Sequence, residues 1–119
     1  MPDSPRTIVS AYFDAWRAHD SAALRALLAD NASFVGPLGR ADNPDEYARS
    51  IQRLFEITTN IEVQKMAVDG DDILTWFELH TSVAPPAPVA TWTHIKNGKI
   101  ANVRATFDPR AIIAARQRS

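Results

Sequence analysis

The sequence keeps its helical pattern and its strand pattern in separate halves, and this separation constrains the fold more than any other feature. Apolar residues recur every three or four positions over residues 7–19, around Leu24, and again after Asn43. After Asn60 the pattern changes to runs of β-branched and aromatic residues that continue to Phe107. Since a parallel doubly wound sheet needs helices and strands to alternate, this order predicts an α+β domain in which helices cover one face of a curved sheet.

Capping and turn residues divide the two halves into elements. Asp20 is a cap for a second short helix, and Asn43 followed by Pro44 predicts the start of a third. A short strand over residues 32–35 and four longer strands after Asn60 complete the prediction, with a last helix after Pro109. Turns are predicted at residues 36–39, 69–72, 84–88 and 97–98.

The dipeptide Asn97-Gly98 is the strongest turn signal and fixes a predicted strand register. If it forms a two-residue hairpin loop, strict two-residue periodicity pairs Trp92 with Val103 and places His94 on the same face. The opposite face carries a larger share of polar side chains, although it also includes three apolar residues. The residues predicted on the helix-covered face are therefore Trp92, His94, Val103, Ala105 and Phe107.

The strand before the proline-rich loop has two possible faces, because the loop does not fix its register. One face carries Trp76, Glu78 and His80, and the other carries Thr75, Phe77, Leu79 and Thr81. If the loop places His80 opposite Trp92, then Glu78 lies opposite His94 and all of these side chains face the helices. A contact between Glu78 and His94 would raise the pKa of the imidazole and lower that of the carboxylate, as acid–base chemistry requires.

Charge and composition limit the classes of partner. The 119 residues include 13 Lys and Arg against 14 Asp and Glu, so the net charge of −1 provides no field for nucleic acid or anionic lipid. The absence of cysteine excludes disulfides, thiolate metal sites and cysteine nucleophiles. No apolar run approaches the roughly 18 residues of a membrane span. We expect one cytoplasmic domain over residues 1–119, with an ordered core of about residues 5–113.

Five segments spread along the chain carry a family resemblance. They are Tyr12-Phe13-Asp14-Ala15-Trp16-Arg17-Ala18-His19-Asp20, Leu27-Leu28-Ala29-Asp30, Gly36-Pro37-Leu38-Gly39, Asn97-Gly98-Lys99-Ile100 and Phe107-Asp108-Pro109-Arg110. Together they resemble the SnoaL-like polyketide cyclase branch of the nuclear-transport-factor-2-like (cystatin-like) superfamily. The resemblance implies a mixed or antiparallel sheet curved around the N-terminal helices, a cone-shaped pocket for a small hydrophobic or aromatic oxygenated molecule, and a homodimer.

The catalytic motifs of that superfamily are matched only in part. The resemblance places Tyr12 at the tyrosine position of its ketosteroid isomerases, but Gly36 and Ala90 stand where those enzymes have their acids. The epoxide-hydrolase-like members and the cyclases use an acid on a later strand, where this chain has Ala105. Proton abstraction needs a base within hydrogen-bond reach, so the missing acids favour a non-catalytic alternative: a ligand-binding or dimeric interaction module.

If the protein is an enzyme, the sequence predicts cofactor-free isomerase, cyclase, dehydratase or epoxide-hydrolase chemistry. Glu78 would be the base, His80 or His94 its partner, and Tyr12 a hydrogen-bond donor to a developing oxyanion. The same acid and two histidines resemble an iron-ligand set, but no tighter motif accompanies them and no metal is predicted. The predicted ligand-binding residues are Trp16, Phe34, Tyr47, Phe55, Trp76, Trp92, Val103 and Phe107.

Overall fold

The computed structural model describes residues 4–118, which form an α+β fold with four helices and six strands. The helices are α1 (Pro5–Arg17), α2 (Ser21–Ala26), α3 (Pro44–Ile57) and α4 (Arg110–Arg118). The strands are β1 (Leu28–Gly36), β2 (Gly39–Ala41), β3 (Thr58–Asp69), β4 (Asp72–Thr81), β5 (Ala87–Lys96) and β6 (Lys99–Thr106). Within residues 4–118, no helix has the length and apolar character needed to cross a membrane.

The first three helices begin at side chains that accept hydrogen bonds from their own first turns. Ser4 accepts from the Thr7 amide before α1, Asp20 from the Ala23 amide before α2, and Asn43 from the Glu46 amide before α3. Each bond satisfies an amide that has no partner within its helix. The caps predicted at Asp20 and Asn43 are thus confirmed.

The six strands form one curved mixed sheet in the order β2-β1-β6-β5-β4-β3. All neighbours are antiparallel except β1 and β6, which run parallel. This arrangement confirms the predicted α+β class with helices over one face of the sheet. The first strand is longer than the predicted residues 32–35, because pairing with β6 begins at Leu28.

The helix-covered face of β4 carries its odd-numbered residues. Phe77 is fully buried and its ring lies 4.9 Å from that of Phe13 on α1, centroid to centroid. The even-numbered Leu74 and Trp76 are exposed on the opposite face. The alternative that placed Thr75, Phe77 and Leu79 inward is therefore correct, and the one that placed Trp76, Glu78 and His80 inward is wrong.

The register predicted between β4 and β5 is also wrong. Glu78 lies opposite Pro88, and His94 lies opposite Asp72, so Glu78 and His94 are not cross-strand neighbours. They are separated by six residues along the strands, or about 20 Å. The cause is the loop: β5 resumes at Ala87, with Pro88 near the start of the strand, where a missing amide is tolerated.

An irregularity in the last hairpin corrects the predicted faces of β5. Ile95 pairs with Ile100 as strict periodicity requires, but His94 then pairs with Asn102, which leaves Ala101 as an extra residue. Such a bulge shifts the pairing by one residue, so the side chains of β5 point to the face opposite to the one predicted from β6. Val103 and Phe107 therefore pack against the core as predicted, whereas Trp92 and His94 face away from it.

Candidate ligand-binding site

A cavity of about 260 Å³ opens between α3, the β1–β2 hairpin and α4. Its apolar walls are aromatic and aliphatic side chains from these elements and from the chain after β6. The principal ones are Phe34, Leu38, Tyr47, Ile51, Leu54 and Phe107. A small, mostly apolar concavity with a few polar groups is the usual form of a small-molecule site, and this volume suits a ligand of one or two rings.

Glycine shapes one wall of the cavity. A Cβ at Gly36 would come within 2.8 Å of Cζ of Phe34, so the absence of a side chain lets that ring fold over the backbone. The Phe34 ring lies 5.2 Å from the ring of Tyr47. Gly39, at the other end of the hairpin turn, has a φ of +145°, a conformation that favours glycine. The Gly36-Pro37-Leu38-Gly39 turn thus builds the cavity wall as well as the hairpin.

Two buried phenols meet behind this wall. The hydroxyls of Tyr12 on α1 and Tyr47 on α3 are 2.6 Å apart, and both side chains are buried. Burial raises the pKa of both residues; the hydrogen bond from Tyr47 partly offsets this effect for Tyr12, whereas the proximity of Tyr12 adds to it for Tyr47. Both phenols are therefore neutral and suited to hydrogen bonding, and neither is suited to act as a base.

The charged groups of the cavity are all basic. Arg40, Arg53 and Arg116 line it, and within the described part of the chain no Asp, Glu or His does so. Arg40 donates two hydrogen bonds to Oδ1 of Asp42, at 3.3 and 2.8 Å, in an exposed pair. Among the described residues, the cavity lining therefore has hydrogen-bond donors and hydroxyls but no group suited to remove a proton near neutral pH.

Three predicted ligand-binding residues, Phe34, Tyr47 and Phe107, do line the cavity. Trp16 and Phe55 instead pack together in the core with their ring centroids 6.4 Å apart, and the indole of Trp16 donates to Thr58. Val103 is a buried core residue. Tyr12 reaches the cavity wall only through its bond to Tyr47.

The predicted catalytic trio and two predicted wall residues lie on the opposite face of the sheet. There Trp76 is 48% exposed and Trp92 is 46% exposed. His80 contacts Glu62 at 3.3 Å, whereas His94 contacts Asp72 at 2.8 Å, so the two histidines belong to different clusters. The expectation that Glu78, His80 and His94 are enclosed beneath the helices is wrong. The bulge in β6 and the register set by the proline-rich loop turn these side chains to the face of the sheet that points away from the helices.

The cluster at Asp72 is a surface arrangement. Its Oδ1 accepts hydrogen bonds from the Trp92 indole and from Nδ1 of His94, both at 2.8 Å. These two donors, Trp92 first, lower the pKa of the Asp72 carboxyl. Over residues 4–118 no group of three or more His, Cys, Asp or Glu side chains is arranged to hold a metal ion.

Sequence reasoning missed the arginines of the cavity. None of Arg40, Arg53 and Arg116 is among the predicted ligand-binding residues, yet all three line the cavity. A signal for Arg53 exists in α3, because Tyr47, Ser50, Ile51 and Leu54 follow helical spacing and Arg53 borders the same face. No sequence signal shows that α4 returns to this helix.

Comparison with known proteins gives a consistent result for the fold. The model of the SnoaL-like domain matches residues 9–103. An NTF2-like protein of unknown function from Cytophaga hutchinsonii is 20% identical, with a TM-score of 0.83 over 95% of this chain and 97% of that one. No curated protein is a significant match.

Two further solved structures carry activity names. A LEH-like epoxide hydrolase from M. tuberculosis is 18% identical, with a TM-score of 0.76 over 96% of this chain and 90% of that one. A protein from Jannaschia, provisionally named a SnoaL-like polyketide cyclase, is 16% identical, with a TM-score of 0.79 over 93% and 90% of the two chains. At these identities the likeness is one of fold alone.

Proposed function

The chain belongs to the SnoaL-like domain family, and from that premise we propose that it binds a small apolar or aromatic, oxygenated molecule in the cavity between α3, the β1–β2 hairpin and α4. The observation that carries the proposal is the composition of the wall: three aromatic rings surround the space, and Tyr47 brings a phenol paired with a second one. Rings favour an aromatic body, and a neutral phenol favours an oxygen acceptor on the ligand.

The cavity supports ligand binding without catalysis better than it supports an enzymatic reaction. The activities named for the relatives, epoxide hydrolysis and cyclisation, need a group that moves a proton beside the bound molecule. The described cavity wall has only guanidinium groups, which stay protonated, and the hydroxyls of Tyr47 and Ser50. The carboxylates and histidines that could serve lie on the opposite face of the sheet.

A blocking substitution tests the proposal. Ser50 lines the cavity with an exposed side chain, so Ser50→Trp fills the mouth without disturbing the core. Gln52 is exposed on the same helix and does not line the cavity, which makes Gln52→Trp the matched control. Calorimetry with a panel of small aromatic alcohols and ketones, including 2-naphthol, should show binding to the wild type and to Gln52→Trp, and weaker binding by at least about tenfold to Ser50→Trp. Equal binding by all three proteins would place the ligand elsewhere.

A second function, self-association, is favoured by the outer face of the sheet. Leu74, Trp76 and Trp92 stand together there with about half of each side chain exposed, and we name this group the outer aromatic patch. Contiguous exposed aromatic surface of this kind is typical of an interface. We propose a second copy of the chain as the partner.

The charges around the outer aromatic patch support a copy of the chain as partner. Glu62 and Glu78 face each other directly on β3 and β4, an unfavourable pairing of like charges. Two basic residues lie on the same face: Lys65, which is opposite Trp76, and Arg104, whose guanidinium lies 5.8 Å from the Trp92 ring centroid. We propose that the two copies are related by a two-fold axis oriented so that the acidic residues of each copy meet basic residues of the other.

A further inference from the structure

The polar residues that line the cavity differ in how far they are buried. Tyr47 is buried, whereas Arg40, Arg53 and Arg116 are exposed. The other two aromatic residues of the wall, Phe34 and Phe107, are intermediate in burial. A ligand that fills this space therefore has a ring body, an apolar or hydroxyl-contacting inner end, and an outer end that meets guanidinium groups.

Arg53 is a cavity guanidinium with its hydrogen-bond donors available for a ligand. No hydrogen bond or ion pair connects it to any residue in the described range, although Glu56 is near it on the same helix. Arg40 donates two hydrogen bonds to Asp42 and has further N–H groups that can donate to a ligand. Glu46 does not line the cavity, and one of its carboxylate oxygens accepts the amide of Asp42. The argument rests on Arg53 and Arg40 and does not need Arg116.

This mouth favours a carboxylate over a larger anion. One guanidinium binds one carboxylate through two parallel hydrogen bonds, a geometry that needs no further partner. Phosphate sites usually add the backbone amides of a helix N-terminus, whereas the α3 residues of this cavity lie from Tyr47 to Leu54, beyond its first turn. The volume of about 260 Å³ also leaves little room beyond a small ring system.

We propose that the cavity selects small aromatic carboxylic acids in their ionised form, with the ring against Phe34, Tyr47 and Phe107 and the carboxylate held by Arg53 with Arg40 beside it. This inference rests on the proposed function, because it names the ligand class of the same cavity. It adds a specificity that a purely apolar pocket would lack: discrimination against the neutral form of the same molecule.

A matched pair of probes tests the inference. 2-Naphthoate and 2-naphthamide have the same ring and differ in charge, and both are titrated into the protein by calorimetry at low salt. We expect the carboxylate to bind about fivefold more tightly than the amide, a modest ratio because solvent screens charges at the exposed mouth. Raising the salt concentration should reduce this ratio, since the carboxylate alone depends on charge.

Two arginine variants locate the effect. Arg53→Gln should bring the affinity for 2-naphthoate down to that for 2-naphthamide, while Arg49→Gln, an exposed change on α3 outside the cavity, should leave both unchanged. Equal binding of the two probes by the wild type, or equal effects of the two variants, would overturn the inference. If both probes bind equally and Ser50→Trp blocks them, the proposed function stands without this specificity; if neither probe nor any neutral aromatic binds, both proposals fail.

Discussion

Tyr12 on the first helix and Tyr47 on the third are joined by a contact between their two hydroxyls. Both side chains are buried, and the 2.6 Å separation satisfies one hydrogen-bonding position of each. A buried hydroxyl that loses its partner retains its desolvation cost, which exceeds the net gain from a typical hydrogen bond. The pair should therefore behave as a unit, with each phenol important chiefly because the other is present.

A double-mutant cycle measures this coupling. We expect Tyr12→Phe to lower the free energy of unfolding by about 1–2 kcal/mol, because it leaves the Tyr47 hydroxyl without its partner. The double variant with Tyr47→Phe should be less destabilised than the sum of the two single variants. Urea unfolding of the four proteins gives the coupling energy. Additive effects would show that water from the cavity replaces the missing partner.

At the scale of elements, the helices were predictable because their signals are local. Asp20 and Asn43 act within one turn of their own positions, so reading the sequence finds them. The faces of β5 depend on a bulge at Ala101, which involves another strand and leaves no local mark. The prediction from strict two-residue periodicity therefore assigned the wrong face to the side chains of β5, although it placed Val103 and Phe107 on the correct face.

The choice between the two faces of β5 was also misled by residue type. Trp92 has more apolar area than Thr91 or Thr93, yet the threonines are buried and the tryptophan is half exposed. Val89, Ile95 and Ile100, which interrupt the face predicted to be wet, were the available signal, since β-branched residues pack well on a pleated inner face. The aromatic cavity residues Phe34 and Tyr47 were found because the resemblance placed the pocket under the helices.

The buried threonines of the sheet give a prediction at this scale. Thr75 and Thr91 lie directly opposite each other, and within the described chain neither hydroxyl has a hydrogen-bond partner. Thr75→Val should raise the free energy of unfolding by about 1 kcal/mol, because it removes a desolvated hydroxyl at nearly constant volume.

Thr58 supplies the contrasting case for the same substitution. Its hydroxyl donates to the Leu54 carbonyl at 2.7 Å and accepts from the Trp16 indole at 3.0 Å. Thr58→Val should therefore lower the free energy of unfolding by about 1–3 kcal/mol. Denaturant unfolding of both variants checks whether the two substitutions change the free energy of unfolding in opposite directions. A loss of stability in Thr75→Val would mean that its hydroxyl has a partner, such as an ordered water.

For the molecule as a whole, the two proposed functions lie on opposite faces of the curved sheet. The inner face and the helices enclose the core, and the cavity lies where α3, the β1–β2 hairpin and α4 leave space at one end. The outer face carries the outer aromatic patch, whose three side chains are each about half exposed. The surfaces proposed for ligand binding and for self-association thus do not overlap, so a substitution on one should leave the other intact.

Self-association through the outer face is tested by placing a charge in the outer aromatic patch. Trp76 is the suitable position, because its side chain is 48% exposed and its replacement leaves the core unchanged. We expect the wild type to sediment as a dimer at micromolar concentration and Trp76→Glu to sediment as a monomer, since an interface core excludes an unpaired charge. Val83→Glu makes the same kind of change at an exposed apolar residue in the proline-rich loop and should remain dimeric. Both variants should still bind the cavity ligand. A monomeric wild type at tens of micromolar, or a dimeric Trp76→Glu, would mean that the exposed tryptophans do not join two copies of this chain.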